Sequence, residues 1–226
     1  MAKKSSFDIP PSPAPGELRL LQDFINTLDL ETGEDRLANP QALATWLARR
    51  QLGRADGEVD DAVWQSAMTV RQGLRAVIAL RCGAEADPSA VESLNQALGS
   101  VRLAPRFDQD GGLFLHGQRP GWPGVLARLV LIVSSAVKTG QWRRLKLCRN
   151  TSCLRVFYDA SRNHSGKWCT TRRCGNRLHS KTYRSRGPTH LRGKPPIMIL
   201  DHRMNAPVRR PDPTSLRASR QPLPED

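Results

Sequence analysis

Between Ala160 and Pro196 the chain has no aspartate or glutamate, so the cations there have no local partners. Other absences narrow the function. No P-loop, GxSxG or HExxH pattern is present, and no carboxylates are paired as a general acid and base would be. The acids Glu31, Glu34 and Asp35, and Asp56, Glu58, Asp60 and Asp61, cluster where loops and helix starts are expected, so capping and solvation account for them and an enzyme is not expected. No apolar stretch follows Met1 as a signal peptide would require. The longest apolar run, 125 to 137, is interrupted by Arg128, Ser134 and Ser135, too short and too polar to span a bilayer. Five cysteines in 226 residues do not make a secreted disulfide scaffold. A soluble, reducing, cytoplasmic setting follows, in which thiols stay free to bind metal.

Four of those cysteines are ordered as C-x4-C, fifteen residues, then C-x4-C: Cys148, Cys153, Cys169 and Cys174. Two close thiolate pairs one short loop apart suit a tetrahedral metal, and four thiolates close the coordination shell of one structural Zn2+. Nearby cations ease thiol deprotonation, and Arg149, Arg155, Arg172 and Arg173 are placed for it. A redox switch and an iron–sulfur cluster use the same residue type. His164 and His179 are near enough in sequence to be ligands, but with four cysteines present they read as loop or phosphate contacts. Cys82, far from the cluster, reads as a buried or half-buried free thiol.

The net charge of +14 is local. From Gln141 to Lys194 there are fifteen lysines or arginines and one acid, Asp159; the rest of the chain carries twenty of each sign. Such a patch is the footprint of a polyanion binder. Arg177, Lys181 and Arg184 fall at i, i+4 and i+7, one face of a helix. With Arg162, Arg172, Arg173 and Arg186 they are the candidate nucleic-acid contacts. Duplex DNA is the expected partner, because few aromatics are available to stack single-stranded bases: Tyr158, Trp168 and Tyr183, the first two expected in the core. An RNA-binding module and a protein-interaction adaptor built on the same finger are the alternatives.

The chain divides into four parts. Residues 1–16, with four prolines, read as a disordered lead-in. Residues 17–140 read as a mostly helical domain. Leu18, Leu21, Phe24, Ile25 and Leu28 predict a first helix ended by Thr32-Gly33; Asn39-Pro40, Asp60 or Asp61, and Asp87-Pro88 start three more; a fifth runs from about Pro123 to Lys138. Asp110-Gly111-Gly112 between apolar flanks predicts a small β-hairpin. Trp46, Trp64 and Trp122 fit either core positions or the lining of a small-ligand pocket, and no ligand is named by the sequence. Residues 141–187 read as a treble-clef-like finger: two short strands around the first cysteine pair, then a helix carrying the second pair and running to about Arg184. Residues 188–226 read as a Pro/Arg-rich, mostly disordered tail. The fold class is mainly α, a helical domain with a small hairpin followed by the finger.

Cys174-Gly175-Asn176-Arg177, with Val156-Phe-Tyr-Asp-Ala-Ser-Arg-Asn163 and Trp168-Cys169, resembles the CGNR zinc-finger proteins, which are named for the first of these motifs. The resemblance covers about 45 residues closely and also fits the order of domains: that family has a helical N-terminal domain, often called ABATE, described as a putative stress-induced transcription regulator. It implies a bacterial, zinc-dependent DNA-binding protein, with zinc on Cys148, Cys153, Cys169 and Cys174 and a helical domain that senses a signal or forms a homodimer. Gly175 would let the backbone pass close to the metal, and Asn176 would bond a cysteine sulfur or cap the hairpin turn.

Overall fold

The computed structural model describes residues 10–52 and 59–176. Five helices and two hairpins follow in chain order: α1 Leu18–Ile25, α2 Pro40–Ala48, α3 Asp61–Arg81, α4 Pro88–Leu98, the hairpin β1 Leu103–Phe107 and β2 Leu113–Gly117, α5 Gly121–Lys138, a 3-10 turn Gln141–Arg144, and the hairpin β3 Leu145–Leu147 and β4 Val156–Tyr158. A π-helical turn, Thr171–Gly175, closes the described part.

Helix starts follow their caps. Asn39, Asp60 and Asp87 each accept a backbone N–H of the following turn, from Ala42, Val63 and Ser89. In the first hairpin Asp108 accepts the N–H groups of Asp110 and Gly112, and Gly111 takes φ +80, so the predicted turn forms where its chemistry requires. The first helix is shorter than its apolar spacing predicts. It ends at Ile25, and Leu28 bridges Asp35 across a tight loop. The reason is side-chain competition: Thr27 bonds the Phe24 carbonyl, and Asn26 is committed to the finger.

The three tryptophans are largely settled as packing. Trp64 donates to the Leu37 carbonyl and Trp122 to Ser66 Oγ, while Trp46 packs against Phe24 and lines a surface cleft. Helix α5 is long and apolar enough to cross a membrane, yet it sets Val125, Leu126, Leu129 and Ile132 into the protein core.

Helix α3 is the spine, and its arginines tie down its neighbours. Arg71 grips Asp35 with two hydrogen bonds of 2.6 and 2.7 Å and also donates to Thr27. Arg75 donates to the carbonyls of Ile25 and Leu28, and Arg81 to that of Leu145.

Helical domain and finger share one core. Leu145, Leu147 and Val156 of the second hairpin pack in the same cluster as Phe24, Leu43 and Ile78. Asn26 fastens the seam: its amide nitrogen donates to the Val156 carbonyl at 2.7 Å, and its amide oxygen accepts the Val156 N–H at 2.9 Å. Gln22 adds a bond to the same carbonyl and one to Ser12. Residues 10–16, which the sequence reading placed in a disordered lead-in, pack against the finger and α1. The Ser12 carbonyl accepts from the Tyr158 N–H, the Ser12 N–H donates to the Cys169 carbonyl, and Ala14 is buried. Four prolines do not leave it loose, because the Gln22 side chain pairs with both Ser12 and Ala14.

Replacing Asn26 by alanine leaves a buried N–H and a buried carbonyl without that partner, at about 1–3 kcal/mol each. Asn26→Ala should lower stability by about 2–4 kcal/mol, read from the midpoint of chemical unfolding. A second expectation concerns acid. Burial by itself raises the Asp35 carboxyl, but the hydrogen bonds from Arg71 and from the Leu37 N–H outweigh it and hold it below its ordinary value. Stability from this group is therefore full above about pH 4 and is lost as pH falls through the depressed value. Asp35→Asn should flatten the acid limb of the stability–pH curve, measured by urea unfolding across that range.

Candidate metal centre

Strand alternation builds the site. On β4, Phe157 packs with the cysteines while Val156 and Tyr158 pack against the main core, and Cys153, Arg155 and Asp159, just outside the strand, are buried as well. The two knuckles are then drawn together by backbone bonds: Cys148 N–H to the Arg155 carbonyl, Cys153 N–H to the Asn150 carbonyl, and Arg149 N–H to the Lys167 carbonyl. Of the second pair, Cys174 sits on the π-helical turn, which Thr170 caps by accepting from the Arg173 N–H, and Cys169 lies just before that cap.

The four sulfurs of Cys148, Cys153, Cys169 and Cys174 lie within 4.8 Å of one another, and all four residues are buried. The Cys153–Cys169 and Cys169–Cys174 sulfur separations are 3.6 and 3.7 Å. Sulfurs about 2.3 Å from a tetrahedral zinc stand about 3.8 Å apart. A disulfide would need about 2.0 Å. The donor set and its spacing fit one structural zinc ion, and no histidine belongs to the cluster among the described residues. In the thiol form the cysteines hydrogen-bond one another. Hydrogen bonding with Cys148 holds the Cys153 thiol far below its usual range, and the same bond drives Cys148 up.

Beside the sulfurs stand Asn150, which the sequence reading did not single out, and Arg155, which it expected there as a cation that eases thiol deprotonation. Asn150 Nδ2 donates to Cys174 Sγ at 3.4 Å, the role expected of Asn176, which is instead exposed at the end of its turn. Arg155, 1% exposed, reaches Cys169 Sγ at 3.8 Å and places a buried cation beside the sulfurs. Its signal in the sequence was a cation two residues after Cys153. Gly175 serves packing more than metal approach: a Cβ there would stand 3.3 Å from both Thr171 and Trp168 side chains. Asp159 is a second buried charge among the described residues of the finger. Burial raises its carboxyl, but hydrogen bonds from Lys146, Ser161 and the Gly166 N–H outweigh it and hold it well below the carboxylate range.

The candidate nucleic-acid residues separate into three groups. Arg162 and Arg172 are exposed. Arg173 has a different partner from the one expected: it pairs with Glu31 of the helical domain, both side chains largely buried. Arg177, Lys181, Arg184 and Arg186, and with them His179 and the expected long helix, lie outside the described residues. His164 is exposed with φ +50 in the loop. Cys82 is exposed, contrary to its sequence reading, because it forms the C-cap of α3 just before Gly83 turns the chain away.

Residues 18–139, more than half of the chain, match the ABATE family, described as a putative stress-induced transcription regulator. The chain belongs to the ABATE family. Residues 144–187 of this ABATE protein match the CGNR zinc finger, so the four-sulfur cluster falls within that finger. Among curated proteins, none matches the chain.

Metal analysis of the purified ABATE protein should return about one zinc per chain, as one closed four-thiolate shell requires. Cys→Ser at 148, 153, 169 or 174 should remove most of it, whereas Cys82→Ser should leave the content unchanged.

Proposed function

We propose that this ABATE protein is a zinc-dependent DNA-binding transcription regulator. In this reading Cys148, Cys153, Cys169 and Cys174 hold the zinc, the basic finger meets the DNA backbone, and the helical domain passes on a signal or pairs two chains. The observation that carries it is the sorting of charge on the finger. Every exposed charged side chain described from 141 to 176 is basic: Arg143, Arg149, Arg162, Lys167 and Arg172. The single acid, Asp159, is buried and bonded to Lys146. Beside the first knuckle a groove of about 560 Å³ is lined by Arg81, Arg143, Lys146 and Arg149, with no carboxylate among the described lining residues. Such a surface suits phosphate, and zinc supplies the rigidity that a small finger lacks. Arg177, Lys181, Arg184 and Arg186 extend the basic run in sequence and belong to the same proposal.

Duplex affinity should fall steeply with salt, because each phosphate contact releases counterions. Replacing Arg162 and Arg172 by glutamine should lower the slope of log K against log salt by about 2, roughly one per contact. Fluorescence anisotropy with random-sequence duplex gives both numbers. Affinity that stays flat between about 50 and 200 mM salt would sink the DNA reading. A preference for single-stranded RNA at equal salt would replace it with an RNA-binding role.

A further inference from the structure

The first hairpin, β1 with β2, is rooted on α5 and open at its tip. A Cβ on Gly117 would stand 2.8 Å from that of Ala127, so the root lies against the helix. Beyond the root, every residue from Pro105 to Leu115 is exposed, on both faces of the ribbon. Phe107, Leu113, Phe114 and Leu115 are four of the seven large apolar side chains exposed among the described residues. Gathered on a two-stranded ribbon, they mark an interaction surface. The ladder says which edge is open. The Asp108 N–H donates to the Gly112 carbonyl and the Gln118 N–H to that of Arg102, with Arg106 opposite Phe114 and Ala104 opposite His116 between them. Antiparallel alternation therefore turns the N–H and C=O of Leu113 and Leu115 outward. Neither N–H has a backbone partner among the described residues. On β1 the residue opposite Leu115 is Pro105, which has no N–H to turn outward. That blunts β1 and leaves β2 as the edge on which a strand can be added.

We infer that this edge is the contact with a second copy of the chain, β2 pairing antiparallel with β2 about a two-fold axis at Leu115. The strand complements itself in that register. Leu115 exchanges both backbone bonds with its own copy, Phe114 lies opposite His116, and the paired strands carry no lysine, arginine or acid. The same register sets Gly111 opposite Arg119, which brings the turn carboxylate Asp110 of each copy beside Arg119 of the other. Both residues are exposed, and neither side chain is in an ion pair among the described residues. An unrelated strand would satisfy the backbone edge, but a second copy also supplies these two symmetric charge pairs. Five paired residues bury less than the ~1,600 Å² of a standard interface, so the dimer dissociates on dilution. The pairing brings two fingers into one symmetric assembly, and it stands independently of the DNA reading.

The test is sedimentation velocity of the zinc-loaded full chain from about 1 to about 100 μM. The expected result is a monomer–dimer equilibrium within that range and no larger species, because a two-fold contact closes on itself. Leu113→Lys/Leu115→Lys, at two exposed side chains, should weaken the dimer at least about tenfold, since a lysine then faces its own copy at the axis. Its zinc content and unfolding midpoint should stay those of the wild type, which separates a lost contact from a lost fold. Asp110→Arg and Arg119→Asp should each weaken the dimer about threefold or more, and the two together in one chain should restore it. The inference is overturned by a monomer across the whole range, by a dimer that the lysine variant leaves intact, or by a charge swap no stronger than either single variant. A monomer that the lysine variant destabilises also overturns it, because the edge would then be covered by another segment of the same chain.

Discussion

One amide side chain decides how the finger is held. Asn26, at the end of the first helix, takes both backbone groups of Val156 and so fixes the register of the second hairpin against the helical domain. Everything downstream inherits that position. Val156 faces the shared core, so Arg155 and Phe157 on either side face the sulfurs. Arg173 reaches Glu31 because the loop after α1 lies beneath the second knuckle. The finger is therefore not a bead on a string. Its metal-free apolar mass is small, but one face of its hairpin is covered by helices with a full core of their own.

That arrangement changes what zinc contributes. In an isolated finger the metal supplies nearly all the folding energy. Here the hairpin is anchored by buried leucines and by Asn26, so zinc mainly ties the first knuckle to Cys169 and to the turn bearing Cys174. Arg155 borders both parts, one buried cation between the thiolate cluster and the cleft that Trp46 lines.

Much of this was legible in the residues. Asn39, Asp60 and Asp87 announce their helices because a cap is a local device, readable within four residues. The four cysteines announce the site because metal spacing is strict. What stayed hidden depends on partners distant in sequence. Nothing local says that Asn26 will leave its helix for a strand 130 residues away. Arg173 looked like any other cation in a basic stretch, and only the fold brings Glu31 to it. The lead-in looked loose because prolines are common in loose chain, yet its N–H and C=O groups found partners in the finger and on Gln22. Asn150 and Asn176 flank the cysteines equally well in sequence, and the knuckle's curvature chose between them.

The lead-in has one more consequence, for association. A short two-stranded ribbon usually offers a free edge on which another chain can continue the sheet. On the second hairpin the outer edge of β4 is taken by Asn26 at Val156 and by Ser12 at Tyr158. The strap that takes it alternates Pro11, Ser12, Pro13, Ala14 and Pro15, and every second residue has no N–H to offer outward. On its β4 side the finger's sheet thus carries its own selvedge, a border that binds the fabric and cannot be woven further.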